Sequence, residues 1–228
     1  GGGTQYVVAG CIAGGADPAD PLCQAYDRGE DGFVSELRIP TSNLARLRTS
    51  GIDWQLGYGF PLLSGRLQLN LSGNRLLRSE TQINPNLDPL RCAGFHGYPC
   101  GNTIQGTAMP KWKLFNRATW AIGPASISLR HRYFSATKAA YFSLNQSLQQ
   151  PPPVDVPVNA TWMQSRHYFD TAVTFDIAGR FGLTLGVNNL FDTQPSLVGF
   201  GQIQANTDPS LYDVLGRRYF ATVRAKVF

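Results

Sequence analysis

Apolar and polar residues alternate with a period of two in one segment after another, each about ten residues long, the signature of half-apolar β-strands. In 51–60, Ile52, Trp54, Leu56, Tyr58 and Phe60 interleave with Asp53, Gln55, Gly57 and Gly59; in 66–77, Leu67, Leu69 and Leu71 oppose Arg66, Gln68, Asn70 and Ser72. Residues 111–122 set Trp112, Leu114, Ala118, Trp120 and Ile122 against Lys113, Arg117 and Thr119, and 125–135 set Ile127, Leu129 and Tyr133 against Ser126, Ser128, Arg130 and Arg132. Phe169, Val173, Phe175 and Ile177 oppose Asp170, Thr174 and Asp176, while Phe181, Leu183, Leu185 and Val187 oppose Thr184 and Asn188. A last strand sets Tyr219, Ala221, Val223, Ala225 and Val227 against Thr222, Arg224 and Lys226. Upstream, 33–39 and 44–49 read either as an extended hairpin arm or as a continuation of the strand entering at Gly51, and Thr4–Ala9 as the stub of another strand.

Ten residues at about 3.3 Å each, tilted near 45°, span roughly the 25 Å apolar band of an outer-membrane barrel. The joins alternate as such barrels require. Pro61–Gly65, Gly123–Pro124 and Ala178–Arg180 are short, whereas Leu77 to Lys111, Ser135 to His167 and Asp192 to Arg217 are long. Short periplasmic turns and long extracellular loops follow this rhythm, and the chain end, leaving a long loop, falls on the periplasmic side. The competing fold is a soluble β-sandwich, because alternation alone does not say whether the apolar face meets a core or lipid. Composition separates the two: charged residues make up 15% against roughly 25% in soluble domains. The polar faces are mostly Ser, Thr, Asn, Gln and Gly, and no apolar run is long enough for a spanning helix. The expected fold is therefore all-β, an antiparallel transmembrane β-barrel segment of about seven to nine strands.

A net charge of +5 and pI near 9.2 invite a nucleic-acid reading, but Arg and Lys are scattered along strands rather than gathered in a basic block, so no nucleic-acid partner is expected. The cysteines fall in two close pairs, Cys11 with Cys23 and Cys92 with Cys100, in polar, Gly/Pro-rich sequence. Loop disulfides in an oxidising compartment are the natural reading, with free thiols the alternative; the spacings do not match zinc knuckles. Asp17, Asp20, Asp27, Glu30 and Asp31 form an acidic stretch with the residue types for calcium but no calcium-loop spacing, which favours a solvated loop.

Gly182-Leu-Thr-Leu-Gly-Val-Asn-Asn-Leu-Phe-Asp192, followed by a loop, Tyr212-Asp-Val-Leu-Gly-Arg-Arg-Tyr-Phe220 and a final Phe, closely resembles the C-terminus of TonB-dependent outer-membrane receptors. Asn43-Leu-Ala-Arg-Leu-Arg-Thr-Ser-Gly-Ile-Asp53, Pro110-Lys-Trp112, Trp120 and Arg132-Tyr133 are similar to the same family's barrel, so the resemblance covers about residues 30–228. It implies a plugged barrel of the 22-stranded class, of which this chain would be the C-terminal part without the plug domain. Implied partners are outer-membrane lipid, the plug and remaining strands, the barrel-assembly machinery, the TonB energy-coupling complex acting through the plug, and a small-molecule ligand. Tyr219, Val223, Val227 and Phe228 are the implied C-terminal assembly signal. Val227 is in phase with the apolar residues of its strand and Phe228 lies one step out.

No Gly-x-Ser-x-Gly elbow, His-Glu-x-x-His, phosphate loop or dinucleotide fingerprint occurs, so neither catalysis nor a cofactor is expected. Arg130, Arg132, Asp170, Asp176, Arg224 and Lys226 fall on polar strand faces and are candidate lumen-facing residues; mixed charges commonly line such walls, and paired carboxylates or an anion site are the alternatives. Trp54, Tyr58, Trp112, Trp120, Tyr133 and Phe175 are candidates for interfacial girdles. Tyr141, Phe142 and Trp162 are candidate loop contacts for a ligand, with self-packing of the loop as the alternative. The expected function is energy-coupled uptake of a scarce solute (ferric siderophore, cobalamin or carbohydrate) across the outer membrane of a Gram-negative bacterium. The alternative is a self-contained small barrel acting as a passive pore or structural protein.

Overall fold

The computed structural model describes residues 4–38, 46–82, 88–97, 100, 108–140, 162–198 and 206–226. In chain order these form α1 (Thr4–Ala13), β1 (Tyr26–Arg28), β2 (Val34–Leu37), β3 (Arg46–Leu62), β4 (Gly65–Gln82), β5 (Leu90–Arg91), β6 (Phe95–His96), β7 (Trp112–Ile122), β8 (Ala125–Phe134), β9 (Thr137–Ala139), β10 (Trp162–Met163), β11 (Arg166–Ile177), β12 (Phe181–Asn188) and β13 (Arg218–Ala225). The main sheet has eight strands: β3, β4, β7, β8, β11, β12 and β13 lie side by side in chain order, and β5 adds to the far end of β4. All its pairings are antiparallel. Apart from α1 the chain's regular structure is thus all β, and its main sheet is an antiparallel meander that resembles a barrel-wall segment.

Joins on one end of this sheet are tight. Leu62 pairs with Gly65 and Ile122 with Ala125, and Leu63 and Gly123, first in each two-residue turn, have φ of 53° and 52°, the left-handed backbone that matches strand twist in short hairpins. Every join at the other end is long, and these connections carry β5, β6, β9 and β10.

Register sorts the side chains into two faces, because antiparallel partners point the same way and neighbours along a strand point oppositely. One cross-sheet row runs Phe60, Leu67, Trp120, Ile127, Val173, Leu185, Ala221; on the opposite face another runs Gly57, Asn70, Arg117, Arg130, Asp170. The apolar face is open. Leu56 is 57% exposed, Leu129 43%, Phe175 41% and Val223 73%. The buried clusters lie at the long-loop end instead, where Tyr168 and Phe134 of the wall pack with loop residues. A soluble sandwich would cover this apolar face with a second sheet; among the described residues nothing does.

Polar residues on that face satisfy one another: Asn116 Nδ2 lies 3.2 Å from His131 Nδ1, and His131 Nε2 lies 2.9 Å from His167 Nδ1. Aromatics gather toward both ends. Trp54 and Trp112 meet edge to face with centroids 5.9 Å apart near the long loops, while Trp120 donates to Leu62 O at 3.2 Å beside a short turn. The Trp54 indole lies over Gly73, directly opposite on β4, where a Cβ would enter the ring. Gly73→Val should therefore displace Trp54 and destabilise the wall by about 1–3 kcal/mol, read as a changed tryptophan emission and a lowered melting temperature; unchanged values would contradict the packing.

Several sequence expectations need correction. Thr4–Ala13 is helical rather than a strand stub. Val7 and Cys11, one turn apart and both buried, share a helix face, and Tyr26 Oη donates to Cys11 Sγ at 3.4 Å. The helix stops at Gly15, whose φ of 84° suits a helix C-terminus. The hairpin arm between 33–39 and 44–49 is not formed among the described residues: β2 pairs with β1, and Arg46–Thr49 runs straight into β3. β3 and β4, of 17 and 18 residues, extend beyond the alternating stretches. At Ser50/Gly51 the register shifts, with Gly51 opposite Leu76 and Ser50 opposite Arg78. Leu77 is the extra residue of a bulge, and beyond it the strands are polar apart from Leu47 and carry no apolar rhythm.

Candidate functional site

The polar face of β8 and β11 brings three of the six candidate lumen residues together. Asp170 is opposite Arg130, and Tyr168 opposite Arg132. Arg130 Nε donates to Asp170 Oδ2 at 2.7 Å, and Arg132 Nε lies 3.3 Å from the same oxygen. The other Asp170 oxygen accepts the Asn189 backbone N–H at 2.8 Å. Arg132 also grips Asp213 with both terminal nitrogens, at 3.2 and 2.5 Å, a bidentate arrangement that fixes geometry as well as charge. Its guanidinium lies over the ring of fully buried Tyr168, 5.1 Å from the centroid.

Asp213 belongs to the long connection between β12 and β13, so this network fastens that loop to the wall. Both loop ends are stitched by the segment that follows β12. Asn189 holds Thr193 by two hydrogen bonds of 2.8 and 3.0 Å, and Asp192 Oδ1 accepts the Arg217 N–H at 2.8 Å. Deeper in, Tyr212 Oη donates to Gln164 O at 3.0 Å and Asp208 accepts the Ala108 N–H at 2.9 Å, so segments from three long connections meet over Tyr168 and Phe134. Burial pushes the Tyr212 hydroxyl well above the ordinary tyrosine range.

A second layer is built on β6, β9 and β10. Cys92 and Cys100 are joined, as are Cys11 and Cys23, and Phe95 and Met109 pack against the buried Cys92–Cys100 pair. His96 is buried, with Nδ1 3.0 Å from Thr137 Oγ1, and desolvation lowers its pKa from 6.5 to about 4. A buried neutral histidine takes up a proton more readily when exposed. Its stabilising contribution is therefore complete above pH 6.5 and is lost as pH falls toward about 4. Acidification through that window should loosen the loop layer, read as faster proteolysis of the loops; His96→Asn should flatten the dependence, and equal sensitivity in the variant would overturn the assignment.

The remaining candidates lie elsewhere. Asp176 and Arg224 share the polar face but sit at the short-turn end, both opposite Gly182. Asp176 Oδ1 accepts the Gly179 N–H at 2.9 Å, and the Lys226 backbone N–H donates to Arg180 O at 2.9 Å. Asp176 is thus a turn residue and no partner of Asp170. Trp162 is half-exposed on β10, with Lys138 Nζ 5.9 Å from its ring centroid; Tyr141 and Phe142 lie outside the described residues. Tyr219 and Val223 are on the apolar face, 74% and 73% exposed, whereas Val227 and Phe228 lie outside the described residues. In the acidic stretch, Asp17, Asp20 and Asp31 accept N–H groups of their own turns and Asp27 pairs with Arg38 at 2.9 Å. No group of three or more metal-ligating side chains occurs among the described residues.

Next to the charged network is a groove of about 360 Å³ lined by Gln55, Asn70, Ser72, Phe115, Arg117 and Arg130, together with Leu71 and Asn116. It joins amide, hydroxyl and guanidinium donors to one aromatic ring, a lining able to hold a small polar solute. The sequence singled out neither Asp213 nor Tyr168, Asn189 and Asp192. The pattern Gly-Val-Asn-Asn-Leu-Phe-Asp was visible, and its Asn and Asp are turn-formers by type.

No protein-family model and no curated protein matches the chain. Solved structures that resemble it are of the ferric enterobactin receptor PfeA of Pseudomonas aeruginosa, including a mutant and a complex with BCV-L6, each at 17% identity and TM-score 0.48 over 78% of this chain. A mutant of that receptor in complex with enterobactin matches at 13% identity and TM-score 0.38. The chain spans about a fifth of the receptor's length in the first of these matches, 22%.

Proposed function

We propose that the chain is the C-terminal wall of a TonB-dependent outer-membrane receptor of the 22-stranded class, which takes up a scarce solute by energy-coupled transport. The observation that carries the reading is the uncovered apolar face of the meander, with Leu56 57% and Val223 73% exposed. A face of that size is stable against hydrocarbon and costly against water. Both edges are also open. All of β13 and residues 46–58 of β3 are exposed, and among the described residues neither strand pairs on its far side. Bare strand edges are not tolerated in lipid, so further strands complete the barrel, and a plug fills it.

In this reading the short turns face the periplasm, as does the C-terminus, and the long connections face outward, where their layered packing forms a vestibule over the polar face. The groove at Arg117 and Arg130 lines the solute's path. The C-terminal strand is the part engaged by the assembly machinery, and the plug is the part that engages TonB. The solute is a ferric siderophore, cobalamin or carbohydrate; the chain performs no chemistry on it. The test is expression of the complete reading frame in an outer-membrane host lacking its own receptors. The expected result is a heat-modifiable outer-membrane protein whose uptake of one such solute depends on TonB. A passive, TonB-independent pore or a water-soluble monomer would overturn the proposal.

A further inference from the structure

Polar side chains interrupt the apolar face of the wall at its centre. The cross-sheet row that begins with Leu56 and Leu71 continues with Asn116 on β7, His131 on β8 and Phe169 on β11, so an amide and an imidazole stand where hydrocarbon side chains are expected. His167, two residues back along β11, shares that face and is exposed, while Asn116 and His131 are half-buried. Trp112 and Trp120 lie on the same face of β7, four residues to either side of Asn116, or about 13 Å along the strand in each direction. Asn116 is therefore in the middle of the stretch that the two indoles bracket.

The hydrogen bonds of this patch run one way. Asn116 Nδ2 only donates, so His131 Nδ1, 3.2 Å away, accepts. The neutral His131 ring then carries its proton on Nε2 and donates it to His167 Nδ1 at 2.9 Å, which leaves the His167 proton on Nε2. The relay begins with the Asn116 carbonyl and ends in the exposed His167 N–H, and among the described residues neither end has a partner. Aromatic rings flank it: His131 stacks on Phe169 with centroids 4.8 Å apart, and Tyr133 leans on His167 at 4.6 Å.

We propose that this relay is the contact at which a second copy of the receptor docks, wall against wall, within the membrane. The inference rests on the membrane reading given above. In that reading acyl chains surround the patch and offer neither donor nor acceptor, while headgroups lie level with the indoles. Ionisable side chains at such a depth face protein or water rather than lipid, and the water-filled lumen is on the other side of the sheet. The relay itself specifies a second copy. A twofold axis along the membrane normal reverses the lateral order of β7, β8 and β11, so the His167 end of one copy faces the Asn116 end of the other. Each N–H then finds a carbonyl, twice over in a self-complementary interface, as polar side chains do between membrane segments. A different protein would have to supply both groups in the same order.

The test introduces single cysteines into the full-length receptor, the four cysteines of this chain being paired, and oxidises the outer membranes with copper phenanthroline. Leu129→Cys, two residues from His131 on the same face, should give a disulfide-linked species of twice the receptor's mass. Leu56→Cys, on that face but three strands away, should give none. Native mass spectrometry in neutral detergent then reads the dimer without a cross-link. Asn116→Leu/His131→Leu/His167→Leu, which makes the patch apolar, should weaken dimerisation about tenfold or more. If that variant fails to insert, His167→Leu, which removes only the exposed end of the relay, takes its place with about a tenfold loss expected. A receptor that is monomeric by both measurements, links formed equally at 56 and 129, a link to a different protein, or unchanged dimerisation in the variants would overturn the proposal. Loss of heat-modifiable mobility in the unaltered receptor would instead contradict the barrel reading on which it rests.

Discussion

Asp170→Ala should lower the stability of the folded protein by about 3 kcal/mol or more, read as a lowered melting temperature. The carboxylate is only 5% exposed and takes part in three interactions: with Arg130, with Arg132 and with the Asn189 N–H. Removing it leaves guanidinium groups beside one another with their shared counter-ion gone, and a buried N–H without its acceptor. The loop should loosen as well, because Arg132 holds Asp213 and is itself positioned by Asp170. Asp170→Asn keeps an acceptor for Asn189 and should cost less than alanine. An alanine variant as stable as the parent, with the 206–213 segment equally resistant to protease, would refute the network's structural role.

Leu129→Arg should cost about 2–4 kcal/mol in a bilayer, whereas Ser128→Arg, its neighbour in sequence, should cost less than about 1 kcal/mol. Leu129 pairs with Ala118 and Thr171 on the apolar face; Ser128 pairs with Thr119 and Ala172 on the polar face. In the proposed barrel, one residue along the strand therefore exchanges hydrocarbon for an aqueous wall. The measurement is the folded fraction of each variant in lipid vesicles across a denaturant series. Similar costs at the two positions would contradict a wall with lipid on one side and water on the other.

The strands were legible because alternation is written residue by residue. Leu67, Leu69 and Leu71 lie on the apolar face and Gln68, Asn70 and Ser72 on the polar one, as the pattern requires. The limits of β3 and β4 were not, because beyond Gly51 and Leu77 the strands are polar apart from Leu47, and hydrogen bonding to a neighbour, rather than side-chain burial, extends the strand. Thr4–Ala9 was misread because Val7 and Val8 favour strands by type, while the contacts that hold the helix, Cys11 to Cys23 and Tyr26 to Cys11, reach outside it.

At the site, Arg130, Arg132 and Asp170 could be placed on a face from sequence, but their meeting depends on the cross-strand register of β8 against β11. Asp213 was out of reach, since its partner Arg132 lies far back in the chain and loop folding alone brings the two together. Asp176 shows the converse: it has the same residue type and face as Asp170, yet its place beside a turn gives it a local task.

The claim that the apolar face meets lipid is tested most directly by accessibility along β8. All four cysteines are paired and none is free, so a single introduced cysteine carries one nitroxide label. With the full-length protein in lipid vesicles, labels at 127, 129 and 133 should collide mainly with oxygen, and labels at 126, 128 and 130 mainly with a water-soluble nickel chelate. A period of two running through the whole series is the predicted result. Equal access of the nickel chelate to both sets would contradict the account.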